Sequence, residues 1–435
     1  MRVLLWEKGA VLIQDEGKNQ SRFQANDYWK IIDAAKAEGL ELRDDAMHSP
    51  SPPTLHSSFK LRDYQEEALI AWEKTGYRGI IVLPTGSGKT VVALKAIEKT
   101  QSAALIVVPT LVLLDQWKKT LEEAFRVDVG SLGGGVNDIR ALTVSTYESA
   151  VIHAGSIGNL FKLIIFDEVH HLPTPSNSQI AQCYLAPYRL GLTATLGNSP
   201  ESLSALEEMV GPIIFRRHVE DLVGTHLSDY TIKTVQVPLL PTEKLEYDLR
   251  YSIYRSFLQS RGIKIRSAKD YLRFVQRSGF DPEARRALLA RNTAMDLALN
   301  SEAKISYLRS LLRDNPNEKT ILFTRHNKLV YKISRDLLIP AITHQTTPEE
   351  RREILNRFRS GIYKKIITSQ VLDEGIDVPD ASMAVVLSGT GSNRQWIQRL
   401  GRILRKREGK QATLFELVSM ETAETRMSSR RKQLD

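Results

Sequence analysis

The sequence has almost no cysteine and no long hydrophobic run. Cys183 is the only cysteine in 435 residues, which excludes an intrachain disulfide and a zinc site built from cysteines. No apolar stretch approaches the roughly 18 residues of a membrane span, and Glu7 and Lys8 interrupt the N-terminal apolar segment. We therefore expect a soluble, cytoplasmic protein without a membrane partner, associated with the nucleoid if the cell is prokaryotic.

Charge and length are the next constraints. Lys and Arg number 60 against 51 Asp and Glu, and this net charge of +9 favours a polyanionic partner. Since domains average about 150 residues, a chain of this length is expected to form about three.

The chain is organised around LPTGSGKT at residues 83–90, which resembles a phosphate-binding loop. The apolar run Ile80 to Leu83 predicts a buried strand, and Val91 to Lys99 predicts a helix whose N-terminus favours an anion. Leu83 departs from the strict motif, which has glycine there, so a simple Gly/Ser turn stays open as an alternative. The predicted nucleotide contacts are Thr85, Gly86, Ser87, Gly88, Lys89 and Thr90, with Lys89 on the outer phosphates of ATP and Thr90 on Mg²⁺.

Two adjacent carboxylates follow the apolar strand Leu163 to Phe166. Asp167 is predicted to share Mg²⁺ with Thr90, and Glu168 to accept a proton from the water that attacks the γ-phosphate. A metal cluster completed by His170 and His171, or a merely polar loop, are the alternatives. Charge on the γ-phosphate also needs cations, and Arg402 and Arg405 are candidates for that role from a second lobe. Hydrolysis would then accompany closing and opening of the lobes.

The order of predicted strands and helices divides the chain into several parts. Val3 to Trp6 and Ala10 to Ile13 predict a hairpin, followed by a helix capped by Asn26 or Asp27. Residues 46–58, rich in proline and serine, predict a linker. A parallel sheet is then expected, because apolar strands alternate with stretches long enough for crossover helices such as Asp63 to Lys74 and Leu113 to Phe125. Its strands are predicted at 80–83, 104–108, 142–144, 163–166 and 190–192.

A second alternating series begins near Thr231, with strands predicted at 320–323, 365–368, 384–387 and 412–417. Between the two series lies a charged helical stretch at about 243–300. Its interleaved aromatic residues are predicted to form a packed face, while its Arg and Lys residues are the candidates for gripping nucleic acid. The basic residues from Arg426 to Lys432 are interpreted as a solvated tail.

Several further segments match a known family, in order and in spacing. The chain resembles superfamily 2 helicases, and most closely the archaeal XPB (xeroderma pigmentosum group B) type, in which leucine is ordinary at the position of Leu83. Besides the loop and the Asp-Glu-Val-His box, the matching segments are LRDYQ at 61–65, VPT at 108–110, STY at 145–147, GLTAT at 191–195, ILFTRH at 321–326, SQVLDEGIDVP at 369–379 and QRLGRILR at 398–405.

This resemblance implies an α/β fold with two RecA-like parallel-sheet lobes, a small N-terminal α+β module and a thumb-like helical insert. The implied domains are residues 1–56, a damage-recognition-like module, 57–226, the first lobe, and 227–435, the second lobe with the insert at about 243–300. It also implies that Thr193 and Thr195 couple ATP to the nucleic acid. Further nucleotide contacts are implied at Arg62, Gln65, His170, Gly375, Asp377 and Gln398, and contacts to the nucleic-acid backbone at Pro109, Thr110, Ser145, Thr146, Arg325, Ser369 and Gln370.

The expected function is an ATP- and Mg²⁺-dependent DNA helicase or translocase of 3′ to 5′ polarity, acting in nucleotide excision repair or transcription on single-stranded, forked or damaged DNA. A nuclease partner is expected from the family context. An RNA helicase, or an ATP-gated DNA clamp with little turnover, are the alternatives. The family often carries Arg-Glu-Asp where this chain has LGNSP at 196–200, so we expect translocation or distortion of duplex DNA rather than processive unwinding.

Overall fold

The structure, a computed structural model, describes residues 2–14, 20–84, 86–196, 199–217, 221, 230–369, 381–387, 412–425 and 428. The chain divides into two compact units, one ending at Leu227 and the other beginning at Ser228. In the part of the chain that the structure describes, no helix is long and apolar enough to cross a membrane.

A small mixed sheet with one long helix forms the N-terminal part of the first unit. The predicted hairpin is confirmed, because Glu7 pairs with Ala10 across a turn at Lys8 and Gly9, both at positive φ. Asp27 is the N-cap residue of the helix, as predicted, but its side chain binds Lys30 at 3.0 Å and makes no capping hydrogen bond to a backbone N–H. The elements are β1 (Arg2–Glu7), β2 (Ala10–Gln14), β3 (Gln20–Gln24), α1 (Tyr28–Ala37) and β4 (Leu42–Asp45), in the sheet order β3-β2-β1-β4.

This N-terminal sheet packs directly on the larger sheet of the same unit. The Arg78 guanidinium lies 4.8 Å from the Trp29 ring centroid and donates to Asn26 Oδ1 over 3.3 Å. Asn159 accepts a hydrogen bond from the His48 backbone N–H at 3.0 Å. Apolar packing adds to these polar contacts, because Leu185 is buried in one cluster with residues of the small sheet such as Leu4 and Val11.

The predicted linker at 46–58 contains no helix or strand, as expected, but it packs against the first unit. Leu55 is 1% exposed. Its backbone N–H donates to Gln101 Oε1 at 3.0 Å, and its carbonyl accepts from Gln101 Nε2 at 2.7 Å. The segment is therefore anchored to the first unit at Leu55.

An eight-stranded sheet forms the core of the first unit. All five predicted strands are confirmed to within two residues, and three others were not predicted. The strands are β5 (Arg78–Val82), β6 (Ala104–Val108), β7 (Gly130–Gly133), β8 (Val136–Asp138), β9 (Leu142–Thr146), β10 (Leu163–Asp167), β11 (Tyr188–Thr193) and β12 (Ile213–Arg216). Their order is β12-β5-β11-β10-β6-β9-β7-β8, parallel except for β7 with β8.

Helices cover this sheet, so its central strands are buried on both faces and consist largely of apolar residues. The helices are α2 (Asp63–Lys74), α3 (Lys89–Thr100), α4 (Leu111–Phe125), α5 (Tyr147–Ile157), α6 (Ser178–Cys183) and α7 (Pro200–Met209). Because the paired strands are parallel, the loops after β5, β6, β9, β10 and β11 all leave the same edge of the sheet.

The second unit is built on a parallel sheet of its own. Its described strands are β13 (Tyr230–Val237), β14 (Thr320–Phe323), β15 (Ala341–Ile342), β16 (Lys365–Thr368), β17 (Met383–Val386) and β18 (Ala412–Ser419), in the order β13-β18-β17-β14-β16-β15. The prediction of an α/β fold with two parallel-sheet lobes is therefore confirmed.

Six described helices belong to the second unit, three of them in the predicted insert. They are α8 (Pro241–Ser260), α9 (Ala268–Arg277), α10 (Pro282–Leu299), α11 (Glu302–Asp314), α12 (Asn327–Leu337) and α13 (Pro348–Ser360). In the insert, Tyr254 and Phe274 are buried in one cluster with Phe257, which confirms that these aromatic residues form a packed face.

The basic residues of the insert divide into two groups. Several are paired with carboxylates elsewhere in the insert. Arg261, directly after α8, lies 2.7 Å from Glu283 on α10. Others lie exposed on the surface, namely Arg255, Lys264, Arg266 and Lys269. Gripping of nucleic acid by this exposed group stays a prediction.

Candidate nucleotide and nucleic-acid site

The segment after β5 has the local geometry of a phosphate-binding loop. Strand β5 ends at Val82 and helix α3 begins at Lys89, with Gly86 and Gly88 both at φ +83°. Only glycine adopts that conformation readily, so the two residues let the backbone curl between strand and helix. Lys89 Nζ lies within the loop, 3.1 Å from the carbonyl oxygen of Leu83. Thr85 lies outside the described residues.

Helix α2 holds this loop through its first turn. Gln65 is 2% exposed, and its Nε2 donates to the carbonyl of Ser87 at 2.7 Å while its Oε1 accepts from the Arg62 N–H at 2.9 Å. Tyr64 also donates to the Ser87 carbonyl. A Cβ on Gly88 would lie 2.4 Å from Gln65 Nε2, so a larger residue there would displace the Gln65 amide, and its φ of +83° would be strained. Arg62 and Gln65 thus lie beside the phosphate loop, and their contact with a nucleotide stays a prediction.

Asp167 is the last residue of β10 and is 8% exposed. Both of its carboxylate oxygens accept hydrogen bonds, Oδ2 from Trp117 Nε1 at 2.8 Å and Oδ1 from the Glu168 N–H at 3.1 Å. Burial, together with the negative charge of Glu168, raises the pKa of Asp167 to about 6, while the Trp117 hydrogen bond and the charge of Lys89 oppose the rise. The two hydrogen bonds give this carboxylate a fixed orientation, which suits a ligand to a hydrated cation.

Glu168 has an unusual backbone conformation, with φ +50°. A non-glycine residue in the left-handed region is uncommon, and such residues cluster at functional sites because the surrounding structure must hold them there. Glu168 Oε2 lies 3.3 Å from Thr193 Oγ1 and 3.3 Å from His170 Nδ1. Thr193 Oγ1 is also 2.7 Å from the carbonyl of Thr195. The structure therefore joins Glu168 and His170 to the two threonines that the resemblance implicates in coupling.

The alternative of a metal cluster at this acidic loop is not supported. Among the residues that the structure describes, no three His, Cys, Asp or Glu side chains are grouped so that they could hold a metal ion. Asp167 with the hydroxyl of Thr90 would suit a cation bound through water, because hard oxygen donors are those that Mg²⁺ prefers.

The predicted nucleic-acid contacts of the first unit lie at the same edge of the sheet. Thr110 follows β6 and caps α4, accepting from the Leu113 N–H at 3.3 Å. Thr146 ends β9 and caps α5, accepting from the Ser149 N–H at 3.2 Å. Pro109 is half-buried, whereas Ser145 is fully buried and its hydroxyl donates to the Thr146 carbonyl at 2.9 Å. Ser145 therefore does not present its hydroxyl at the surface.

In the second unit two predicted contacts follow neighbouring parallel strands. Arg325 comes two residues after β14 and is exposed, and Ser369 directly follows β16 and is 5% exposed. The predicted residues Gln370, Gly375, Asp377, Gln398, Arg402 and Arg405 lie outside the described residues.

Two buried contacts of the acid pair, Asp167 and Glu168, were not predicted from the sequence. Trp117, on α4, binds the Asp167 carboxylate, and the Tyr147 hydroxyl donates to the Asp167 carbonyl at 3.1 Å. The only sequence signal was position, because each aromatic residue follows a threonine that is predicted to contact DNA. Trp117 comes seven residues after Thr110, and Tyr147 comes directly after Thr146. The contacts themselves depend on which strands are neighbours.

Two known protein families match separate parts of the chain. Residues 58–198 match the family described as type III restriction enzyme, res subunit. Residues 295–434 match the family described as ERCC3/RAD25/XPB C-terminal helicase.

Individual relatives match over most of the chain. The chain is 46% identical to the DNA 3′-5′ translocase XPB2 of Sulfurisphaera tokodaii, over 91% of this chain and 89% of that protein. It is 28% identical to the DNA 3′-5′ helicase XPB of Mycobacterium tuberculosis, over 88% of this chain and 65% of that protein. A relative from Antonospora locustae, the general transcription and DNA repair factor IIH helicase/translocase subunit XPB, is 27% identical over 92% of this chain and 57% of that protein.

A solved structure shows the same fold at low sequence identity. The Hef helicase domain of Pyrococcus furiosus superposes with a TM-score of 0.62 at 21% identity, covering 86% of this chain and 98% of that one.

Proposed function

Since the chain belongs to the XPB family of helicases, we propose that it is an ATP-driven motor that moves 3′ to 5′ along DNA and opens or distorts the duplex. One observation carries the proposal beyond the resemblance. The phosphate loop after β5, the acid pair after β10 and the threonines that cap α4 and α5 all lie at one edge of a single sheet. This arrangement supports a motor in which nucleotide hydrolysis and strand contact occur on the same sheet.

The first unit supplies the residues for ATP hydrolysis. Lys89 is proposed to neutralise the outer phosphates, at the N-terminus of α3 where the helix dipole also favours an anion. Thr90 and Asp167 are proposed to hold Mg²⁺ through bound water. When bound, Mg²⁺ neutralises charge that develops on the phosphates during transfer.

Glu168 is proposed as the general base. Its carboxylate is 14% exposed, so a water molecule can reach it, and Thr193 and His170 fix its orientation. General-base catalysis typically contributes about 10²- to 10⁴-fold to a rate. Arg402 and Arg405 are proposed to stabilise charge on the γ-phosphate, and Gly375, Asp377 and Gln398 to contact the nucleotide.

Contacts to DNA are proposed at the strand backbone, without reading of sequence. In the first unit they are Pro109, Thr110, Ser145 and Thr146, with Ser145 acting through its backbone because its hydroxyl is buried. In the second unit they are Arg325, Ser369 and Gln370. The exposed basic residues of the insert are proposed to add electrostatic attraction, which would make binding strongly dependent on salt.

Movement along the duplex is proposed to exceed unwinding. The chain has LGNSP at 196–200 where the family often carries Arg-Glu-Asp, and Ser199 and Pro200 serve there to start α7, with Ser199 accepting from the Ser202 N–H at 3.4 Å. None of the five residues at 196–200 is charged, and this departure from the family supports the preference for translocation.

Two substrates distinguish translocation from unwinding. On a duplex that carries a third strand, we expect ATP-dependent displacement of the third strand. On forked DNA, we expect short unwound tracts that require a 3′ tail and not a 5′ tail. Long unwound tracts by the protein alone would contradict the preference for translocation, and dependence on a 5′ tail would contradict the polarity.

A role in nucleotide excision repair or in transcription-linked opening is proposed together with a nuclease partner. Within the described part of the chain, no cluster of metal-binding side chains suits DNA cleavage. Labelled forked DNA incubated with this protein, ATP and Mg²⁺ should therefore stay uncut. Cleavage by the purified chain would remove the reason for a separate nuclease.

A further inference from the structure

Helix α4 connects a predicted DNA contact to the acid pair. Thr110 caps its N-terminus, and Trp117 lies seven residues further on, about 10 Å along the axis at 1.5 Å per residue. Trp117 is 3% exposed, and its Nε1 donates to Asp167 Oδ2 at 2.8 Å. The indole N–H is the only polar group of tryptophan, so this side chain has one hydrogen-bonding role here.

Helix α5 makes a second connection over a shorter distance. Thr146 caps the helix and Tyr147 is its first residue. The Tyr147 side chain is 5% exposed, and its hydroxyl lies 3.1 Å from the Asp167 carbonyl oxygen and 3.5 Å from that of Glu168. It therefore holds the backbone where the chain turns into the left-handed conformation of Glu168.

Through these contacts, α4 and α5 hold both members of the acid pair in place. Asp167 has its Oδ1 held by the Glu168 N–H and its Oδ2 by Trp117, so the indole determines the orientation of the carboxylate. Hydrogen bonds weaken steeply once their angle departs from linearity. A small shift of α4 or α5 therefore changes how the acids are presented to the nucleotide, while the packed sheet moves little.

We propose that Trp117 and Tyr147 are positioning residues that transmit strand contact at the N-termini of α4 and α5 to the Asp167–Glu168 pair, so that DNA binding accelerates ATP hydrolysis. This inference depends on the proposed function, because it requires that Thr110 and Thr146 meet DNA. It concerns a route separate from that of Thr193, the last residue of β11, which contacts Glu168 directly.

The chain contains a matched control for each residue. Trp72 is a fully buried tryptophan whose Nε1 donates to the Arg189 carbonyl at 2.9 Å, away from the acid pair. Tyr28 is a buried tyrosine, 6% exposed, whose hydroxyl donates to the Asp44 carboxylate in the N-terminal sheet. Trp72→Phe and Tyr28→Phe thus remove the same groups from the same unit without touching the acids, α4 or α5.

The test is the ratio of DNA-stimulated to basal ATP turnover at saturating DNA. We expect Trp117→Phe and Tyr147→Phe each to lower this ratio about five-fold or more, the lower bound of typical couplings between two sites, and the control variants to keep it. A purely structural role would lower both rates by one factor and leave the ratio unchanged, which would overturn the proposal. If Trp117→Phe does not fold, Tyr147→Phe decides the same question.

A binding experiment checks the coupling without turnover. Because coupling is reciprocal, a non-hydrolysable ATP analogue should change the DNA affinity of the wild-type protein, and this change should shrink in Trp117→Phe while its affinity for DNA alone stays the same. An undiminished effect of the analogue would contradict the inference. If DNA fails to stimulate even the wild-type protein, the proposed function fails first, and the two failures are thus distinct.

Discussion

Breaking the buried ion pair of the second unit should lower its stability strongly. Lys304, on α11, and Glu424 have side chains that are each 2% exposed, and Lys304 Nζ lies 2.5 Å from Glu424 Oε2. The ammonium also donates to the Leu387 carbonyl at 3.0 Å, and the carboxylate accepts from the Ser419 N–H at 2.8 Å. Lys304→Met keeps the apolar stem and removes the ammonium from the buried carboxylate.

Removing one partner of a buried pair costs about 3–5 kcal/mol, because an uncompensated charge remains. For a unit of this size, 1 kcal/mol shifts the melting temperature by about 2–4 °C, so the second unit should melt about 6–20 °C lower. Scanning calorimetry can follow it, since a chain with two units is expected to unfold in more than one transition. The transition of the first unit should not move.

The double variant Lys304→Met/Glu424→Gln distinguishes the effect of the charge on Glu424 from the effect of its hydrogen bond. Glutamine keeps an acceptor for the Ser419 N–H but carries no charge, so the double variant should be more stable than Lys304→Met alone. The reasoning is refuted if Lys304→Met unfolds within about 1 kcal/mol of the wild type. It is also refuted if the stability losses of Lys304→Met and of Glu424→Gln, each measured alone, add up to the loss of the double variant.

Three further substitutions test the first unit. Glu168→Gln should retain ATP binding and lose about 10²- to 10⁴-fold in turnover, and undiminished turnover would remove Glu168 as the base. Gly88→Ala should weaken nucleotide binding, because its Cβ displaces the Gln65 amide from the phosphate loop, whereas Gly135→Ala, at a similar φ of +85° but with nothing within 4 Å, should bind ATP normally. Gly158→Ala places a Cβ 2.3 Å from the Cys183 carbonyl oxygen, 2.6 Å from that of Ala154 and 2.8 Å from Trp6, and should increase hydrogen exchange at the end of α5 and in the N-terminal sheet without abolishing basal ATPase activity; unchanged exchange in both places would contradict this close packing.

The central strands could be predicted from the sequence because each carries its signal locally. Strands β6 and β10 are buried at every position, so they appear as short apolar runs that end in turn or acidic residues. The phosphate loop is local in the same way, since its glycines, lysine and threonine are consecutive.

Strands that depend on a neighbour for their formation could not be predicted. The segments QSRFQ of β3 and LRDD of β4 are polar, and they become strands by pairing at the two edges of the N-terminal sheet. The hairpin of β7 and β8 is rich in glycine, which gives no strand signal. Tertiary pairing decides the structure at all of these positions.

The same limit applies to the site. Lys89, Asp167 and Glu168 could be identified because motifs contain them. The contact between Trp117 and Asp167 joins residues 50 apart in the sequence, and it exists because β6, which leads into α4, lies beside β10 in the sheet. Similarly, nothing in the sequence showed that Gln65 would bind the carbonyl of Ser87.

The most direct test of the account is steady-state ATP hydrolysis without nucleic acid, with single-stranded DNA, with forked DNA and with RNA, alongside Lys89→Ala. The account predicts that DNA stimulates the wild-type protein well above RNA and that Lys89→Ala is inactive throughout. Equal or stronger stimulation by RNA would indicate an RNA helicase. Negligible turnover under all conditions, with ATP still altering DNA binding, would contradict a motor and indicate an ATP-gated clamp.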